Sequence, residues 1–124
     1  MRLTEQQRAA LLQRLKGQKA CRVEIVHMLQ DLNSHKLAYD LYGVLLAAGW
    51  PAGEPYPMDL LACDDVQVGV ADYLNPPQGA LVLLAALMAV GIRTPSDLVR
   101  SHTAAKGGCC LMVGSGDEWQ GKSR

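Results

Sequence analysis

The side chains equipped to bind or react are few and dispersed: four cysteines, three histidines and twelve carboxylates in 124 residues. Asp31, Asn33 and Ser34 follow one apolar segment, Asp72 and Asn75 follow a second, and Gly114, Ser115 and Gly116 follow a third. If those segments are parallel strands, the three loops emerge beyond their carboxyl ends, where open α/β sheets bind ligands. Helices starting near Ser34 and Gln78 would aim backbone amides at the same region, favouring a nucleotide or another phosphate ligand, whereas Asp31, Asp72 and Asp117 would repel one. Magnesium would reconcile the two, but the first strand has no paired acid and the last ends without a lysine. Acids at such places cap helices and turns, so no metal is assigned.

The remaining reactive groups form no constellation. Gly114-Ser115-Gly116 is neither a dinucleotide-binding fingerprint nor a Walker loop, and it closes a strand instead of opening a helix, so a chain reversal is expected there. Cys63 precedes two aspartates, whose charge raises a thiol's pKa and blunts it as a nucleophile. Cys109 and Cys110 read as small apolar strand residues. Neighbouring cysteines rarely bridge one another, and no CxxC or CxxH spacing marks a zinc site. His27 falls at the buried end of a strand and reads as a satisfied core histidine, with His35 and His102 exposed. No catalytic residue is assigned, and the cofactor is left unknown.

The elements that must position these residues are legible from pattern. Thr4 and Gln7 form a capping box for an amphipathic helix over 4–16 with Leu11, Leu12 and Leu15 on one side and Gly17 as its stop. Residues 21–29 alternate and then turn apolar, as in a strand with a buried second half. Asn33 or Ser34 caps a helix through Leu37, Ala38, Leu41, Tyr42, Leu45, Leu46 and Ala48, ended by Gly49. Between Trp50 and Asp65 three prolines and Gly53 exclude long regular structure, leaving room for a short edge strand near Trp50 and a helical turn over 58–62. Val66-Gln67-Val68-Gly69-Val70 is a strand, and Pro76 and Pro77 set up an apolar helix within 79–92. Thr94-Pro95-Ser96-Asp97 has the signature of a helix start, predicting a short helix to His102. Residues 109–113 are the last strand.

Composition bounds the function. Hydrophobic residues make up 49% and charged residues 19%, with no net charge, so one domain over 1–116 with a polar tail over 117–124 is expected and disorder is excluded. The zero is a cancellation: +4 over residues 1–30 (six basic, two acidic), −6 over 31–75 (one basic, seven acidic) and +2 over 76–124 (five basic, three acidic). Absence of Phe and scarcity of other aromatics argue against nucleic acid as a partner, since single strands bind by stacking. The apolar run within 79–92 is too short for a membrane span, which needs about 20 residues. The polar start does not read as a signal peptide, and a reduced, cytoplasmic protein is expected.

Strands separated by helices argue for βαβ units. The expected fold is α/β, a compact three-layer sandwich with a three- or four-stranded, mainly parallel sheet. Arg22-Val23-Glu24-Ile25 with Asp31 and Ser34, Ala38, Leu41, the helix end Ala48-Gly49-Trp50, Val68-Gly69-Val70, Ala85-Ala86 with Gly91, and Val113-Gly114-Ser115 together resemble a family of small bacterial α/β domains. The resemblance covers most of residues 18–116. It implies a flavodoxin-like or Toll/interleukin-receptor (TIR)-like fold, often attached behind membrane-spanning helices, and supplies no catalytic residue. TIR-type dinucleotide hydrolysis needs a pocket glutamate on a helix, and Glu24 and Glu54 fall in a strand and a loop. The function expected first is therefore a non-enzymatic module acting through protein contacts or self-association, with an apolar surplus at Leu60, Leu61 and Trp50. A nucleotide- or phosphate-ligand-binding domain, extending to a TIR-related nucleotidase, is the alternative. A third expectation, an anionic lipid or nucleic acid on Arg8, Arg14 and Lys16 of the first helix, ranks below both.

Overall fold

The structure is a computed structural model and describes residues 2–59 and 65–114. Helix α1 (Glu5–Leu15) is closed at its start by the expected capping box: Thr4 accepts the Gln7 N–H and the Gln7 side chain accepts the Thr4 N–H. Strand β1 (Val23–Met28) leads into α2 (Leu32–Ala47). The cap of α2 is Asp31, two residues ahead of the expected Asn33 and three ahead of Ser34, and Gly49 ends the helix at φ +83°, a conformation that costs glycine little. Strands β2 (Tyr56–Met58) and β3 (Val66–Val70), helix α3 (Gln78–Ala89), and strands β4 (Val99–Arg100) and β5 (Cys109–Val113) complete the order.

Five strands pair in the order β2-β1-β5-β3-β4. β1 runs parallel to both β2 and β5, and β3 runs parallel to β4, but β3 and β5 are antiparallel. The sheet is thus mostly parallel, with one more strand than expected and one reversed seam. The short helix expected from Thr94 to His102 does not form. The Thr94 hydroxyl donates to the Pro95 carbonyl, Val99 lies beside Gly69, and the Ser101 N–H donates to the Val70 carbonyl at 3.0 Å. With only Leu98 and Val99 as apolar residues, that segment has too little to bury as a helix and gains ladder hydrogen bonds as β4. Near Trp50 only Ala52 bridges to Val23, and of the helical turn expected over 58–62 Met58 belongs to β2, while residues 60–62 lie outside the described residues.

Alternation along the strands sorts the core. Val23 and Ile25 of β1, Val66, Val68 and Val70 of β3, and Cys109, Leu111 and Val113 of β5 share one cluster with Leu11 and Leu15 of α1, Leu37, Leu41 and Leu45 of α2, and Leu83 and Leu87 of α3. The opposite face holds a smaller cluster of Val26, Ala104 and Cys110, flanked by Met58 and Met112. Among the described residues all three helices therefore cover one face and a loop crosses the other, giving two layers where three were expected. No helix of the described residues is long and apolar enough to cross a membrane.

Candidate functional site

Reversal of β3 separates the loops that the sequence places together. β5 lies parallel to β1 with Val113 beside His27, so Gly114 shares an end of the sheet with Asp31, Asn33 and Ser34. β3 begins at that end, Val66 beside Val113, and delivers Asp72 and Asn75 to the opposite one. Ser115 and Gly116 lie outside the described residues. A single site formed by all three loops is excluded by this direction of β3.

The polar groups at the first end are engaged in holding the turn. Asp31 accepts the N–H groups of Asn33 and Ser34 at 3.0 and 3.2 Å, satisfying the open start of α2. Ser34 is buried, and its hydroxyl accepts the Met28 N–H at 3.1 Å. The Gly114 N–H donates to the Asp65 carbonyl at 2.9 Å. At the other end Asp72 accepts the Leu74 N–H, and the Asn75 N–H reaches the Asp72 carbonyl, a tight turn built from local bonds. That turn forms one wall of a cleft of about 300 Å³, which Pro77, Lys106, Gly107 and Gly108 close on the other side.

A second concave surface of about 340 Å³ opens beside His27, Gln30, Asp31, Leu32 and His35. His27 is buried, with Nδ1 3.2 Å from the Met28 carbonyl, and its ring meets His35 edge-on at 4.9 Å. From there a line of rings runs along α2: His35 to Tyr39 at 4.8 Å, and Tyr39 to Tyr42 at 6.2 Å. Partial desolvation, with the nearby Glu54 carboxylate second, pushes the Tyr39 phenol above its ordinary value.

This line belongs to a longer stripe. Leu32, Tyr39 and Leu46 stand seven residues apart on α2 with 63, 38 and 48% of their surface exposed, and Leu29 in the preceding turn is also exposed. Charge is nearly absent from the same helix surface. α2 carries Lys36 and Asp40; Asp40 is buried under Arg2 and Arg8, leaving Lys36 as the one charge that α2 itself presents on its outward side, with the Glu54 carboxylate beside Tyr39. A helix that faces water ordinarily presents charged residues there. Sequence reasoning missed this stripe, counting Leu46 among the periodic apolar positions of the helix and passing over Leu32 and Tyr39. The legible signal was an apolar arc too wide for a single buried face. The surplus expected elsewhere does not serve: Trp50 is 2% exposed and donates its indole N–H to the Leu15 carbonyl at 3.0 Å, and Leu60 and Leu61 lie outside the described residues.

Comparison with known proteins returns nothing to set beside this geometry: no family model, no curated protein and no solved structure matches the chain. The class that the fold itself defines is a small two-layer α/β domain with a mixed sheet.

Proposed function

We propose that this domain is a protein-interaction module that self-associates through the outward stripe of α2. The exposed Leu32–Tyr39–Leu46 series, on a helix side to which α2 contributes a single charge, carries the reading. A seven-residue apolar repeat is the spacing with which one helix packs along another. The stripe is also palindromic about Tyr39. A twofold axis through Tyr39 pairs Leu32 of one copy with Leu46 of the other and sets Lys36 opposite Tyr42, away from its own copy, with the Glu54 carboxylate beside Tyr39 of each copy near the axis. Such self-complementarity favours a second copy over an unrelated partner. Sedimentation velocity over a micromolar range tests it: a concentration-dependent dimer is expected, and a strict monomer at about 100 μM contradicts it.

The phosphate-ligand alternative is favoured by one observation, the cleft where Lys106 and the Gly107-Gly108 turn face Asn75 and the start of α3, whose cap Pro77 provides no side-chain acceptor. Asp72 opposes it there. No glutamate among the described residues lines that cleft, so the cleft supports binding, and the TIR-related nucleotidase rests on the sequence resemblance alone. Thermal-shift measurements with ATP, NAD and cyclic nucleotides, with and without magnesium, decide it: stabilisation lost in Lys106→Ala supports binding, and no shift removes it.

A further inference from the structure

Cys21 lies two residues ahead of β1 and Cys109 opens β5, with the Cys109 N–H donating to the Arg22 carbonyl at 2.8 Å. That ladder bond brings two thiols 88 residues apart in sequence to 3.7 Å between sulfurs, on the helix-covered side of the sheet. The first turn of α3 seals them from above. A side chain at Gly79 would put its Cβ 2.6 Å from the Cys21 nitrogen and 2.8 Å from its sulfur, so only glycine lets α3 sit there.

The adjacent Cys110 is excluded from this pair by strand geometry. Successive side chains point to opposite faces, and Cys110 packs with Val26 and Ala104, accepting a hydrogen bond from the Thr103 hydroxyl at 3.2 Å. Burial pushes its thiol up. The two members of the pair also differ from each other. Cys109 is wholly buried, whereas Cys21 is 8% exposed and follows the exposed residues 16–20, with exposed Arg22 next to it. The hydrogen bond with Cys109, outweighing burial, holds the Cys21 thiol below its ordinary value, while the same contact and burial push Cys109 up.

We infer that Cys21 and Cys109 are a peroxide-responsive thiol pair that closes to a disulfide and ties the segment ahead of β1 to the start of β5. Cys21 is the attacking sulfur. Its thiolate displaces hydroxide from the O–O bond of a peroxide and becomes a sulfenic acid. The Cys109 sulfur then attacks the Cys21 sulfur and expels that oxygen, which takes up the Cys109 proton and leaves as water. Two electrons leave the two sulfurs and reduce one hydrogen peroxide to two waters. A dithiol reductant reverses the step. Because the bridge restrains a long stretch of the unfolded chain, closure raises the melting temperature by about 10 °C.

Treatment of the native 124-residue chain with a small excess of hydrogen peroxide, followed by intact mass and non-reducing tryptic mapping, tests this. A loss of two hydrogens is expected, with peptide 20–22 linked to peptide 107–122. The link persists in Cys110→Ser, disappears in Cys21→Ser, and the thermal shift reverses with dithiothreitol. Four free thiols after oxidation would overturn the inference. So would a link that survives Cys21→Ser, or one that forms only in urea or lowers the melting temperature.

Discussion

Leu37, Leu41 and Leu45 run down one side of α2 at intervals of four, and Leu32, Tyr39 and Leu46 down another at intervals of seven. The first set is fully buried in the core that α2 shares with β1, β5 and α1, and the second is exposed. Both are strongly apolar, so hydropathy alone assigns them to one wide core-facing arc. What separates them is the position of the sheet: α2 presents to it only the arc containing Ser34, Leu37, Ala38, Leu41, Val44 and Leu45. A helix of this kind has two apolar customers, its own core and a surface that another helix can cover. Substitutions on the two sides should therefore fail in different experiments.

The largest effect belongs to the buried side. Leu41→Ala removes a side chain 1% exposed and should cost about 3–5 kcal/mol of unfolding free energy, read from urea denaturation. Gly79→Ala follows at about 1–3 kcal/mol, because the added methyl meets the backbone of Cys21 and not a flexible side-chain end. Asp40 comes next. Its carboxylate accepts Arg2 Nη2 at 2.7 Å, Arg2 Nε at 2.8 Å and the buried Leu3 N–H at 3.2 Å, which fastens the chain start to α2. Burial acts to raise its pKa, but the Arg2 and Leu3 hydrogen bonds and the Arg2 and Arg8 charges together hold it below the ordinary 3.8. A lowered folded-state pKa stabilises above that ordinary value and ceases to do so as pH falls through the folded one. Asp40→Asn should thus be less stable than the parent by about 1–2 kcal/mol at neutral pH, and the two melting curves should converge as pH falls below the ordinary 3.8 and through the lower folded-state value. A gap that persists in acid would assign the contribution to shape and not to charge.

The smallest effect on stability belongs to the outward side. Leu46→Ser or Leu32→Ser should shift unfolding by no more than about 0.5 kcal/mol, as for ordinary surface positions, while weakening association. A loss as large as that of Leu41→Ala would merge the two sides and remove the distinction drawn here.

Much of the fold was legible because local signals and burial agree. Thr4 with Gln7, the leucine spacing of α2, the alternation of Val66, Val68 and Val70, and the apolar run of α3 each specify an element on their own. Strand direction was not legible. Alternation in 66–70 says which residues point inward and nothing of which way the chain runs, and β3 runs antiparallel to β5. The layer count failed for the same reason, since an apolar helix does not state which face of a sheet it will cover. At the candidate sites, residue type was readable but engagement was not: Asp31 and Ser34 look like ligand groups until their backbone partners are seen. Cys21 and Cys109, far apart in sequence, are brought together only by the register of β1 and β5.

Sedimentation velocity of the parent chain beside a Leu32→Ser/Tyr39→Ser/Leu46→Ser variant, each from about 1 to 100 μM, tests the central claim most directly. A parent that passes from monomer to dimer, with a variant that stays monomeric and keeps the parent's circular dichroism, is the predicted result. Equal association of the two proteins, or a parent that remains monomeric throughout, would contradict it.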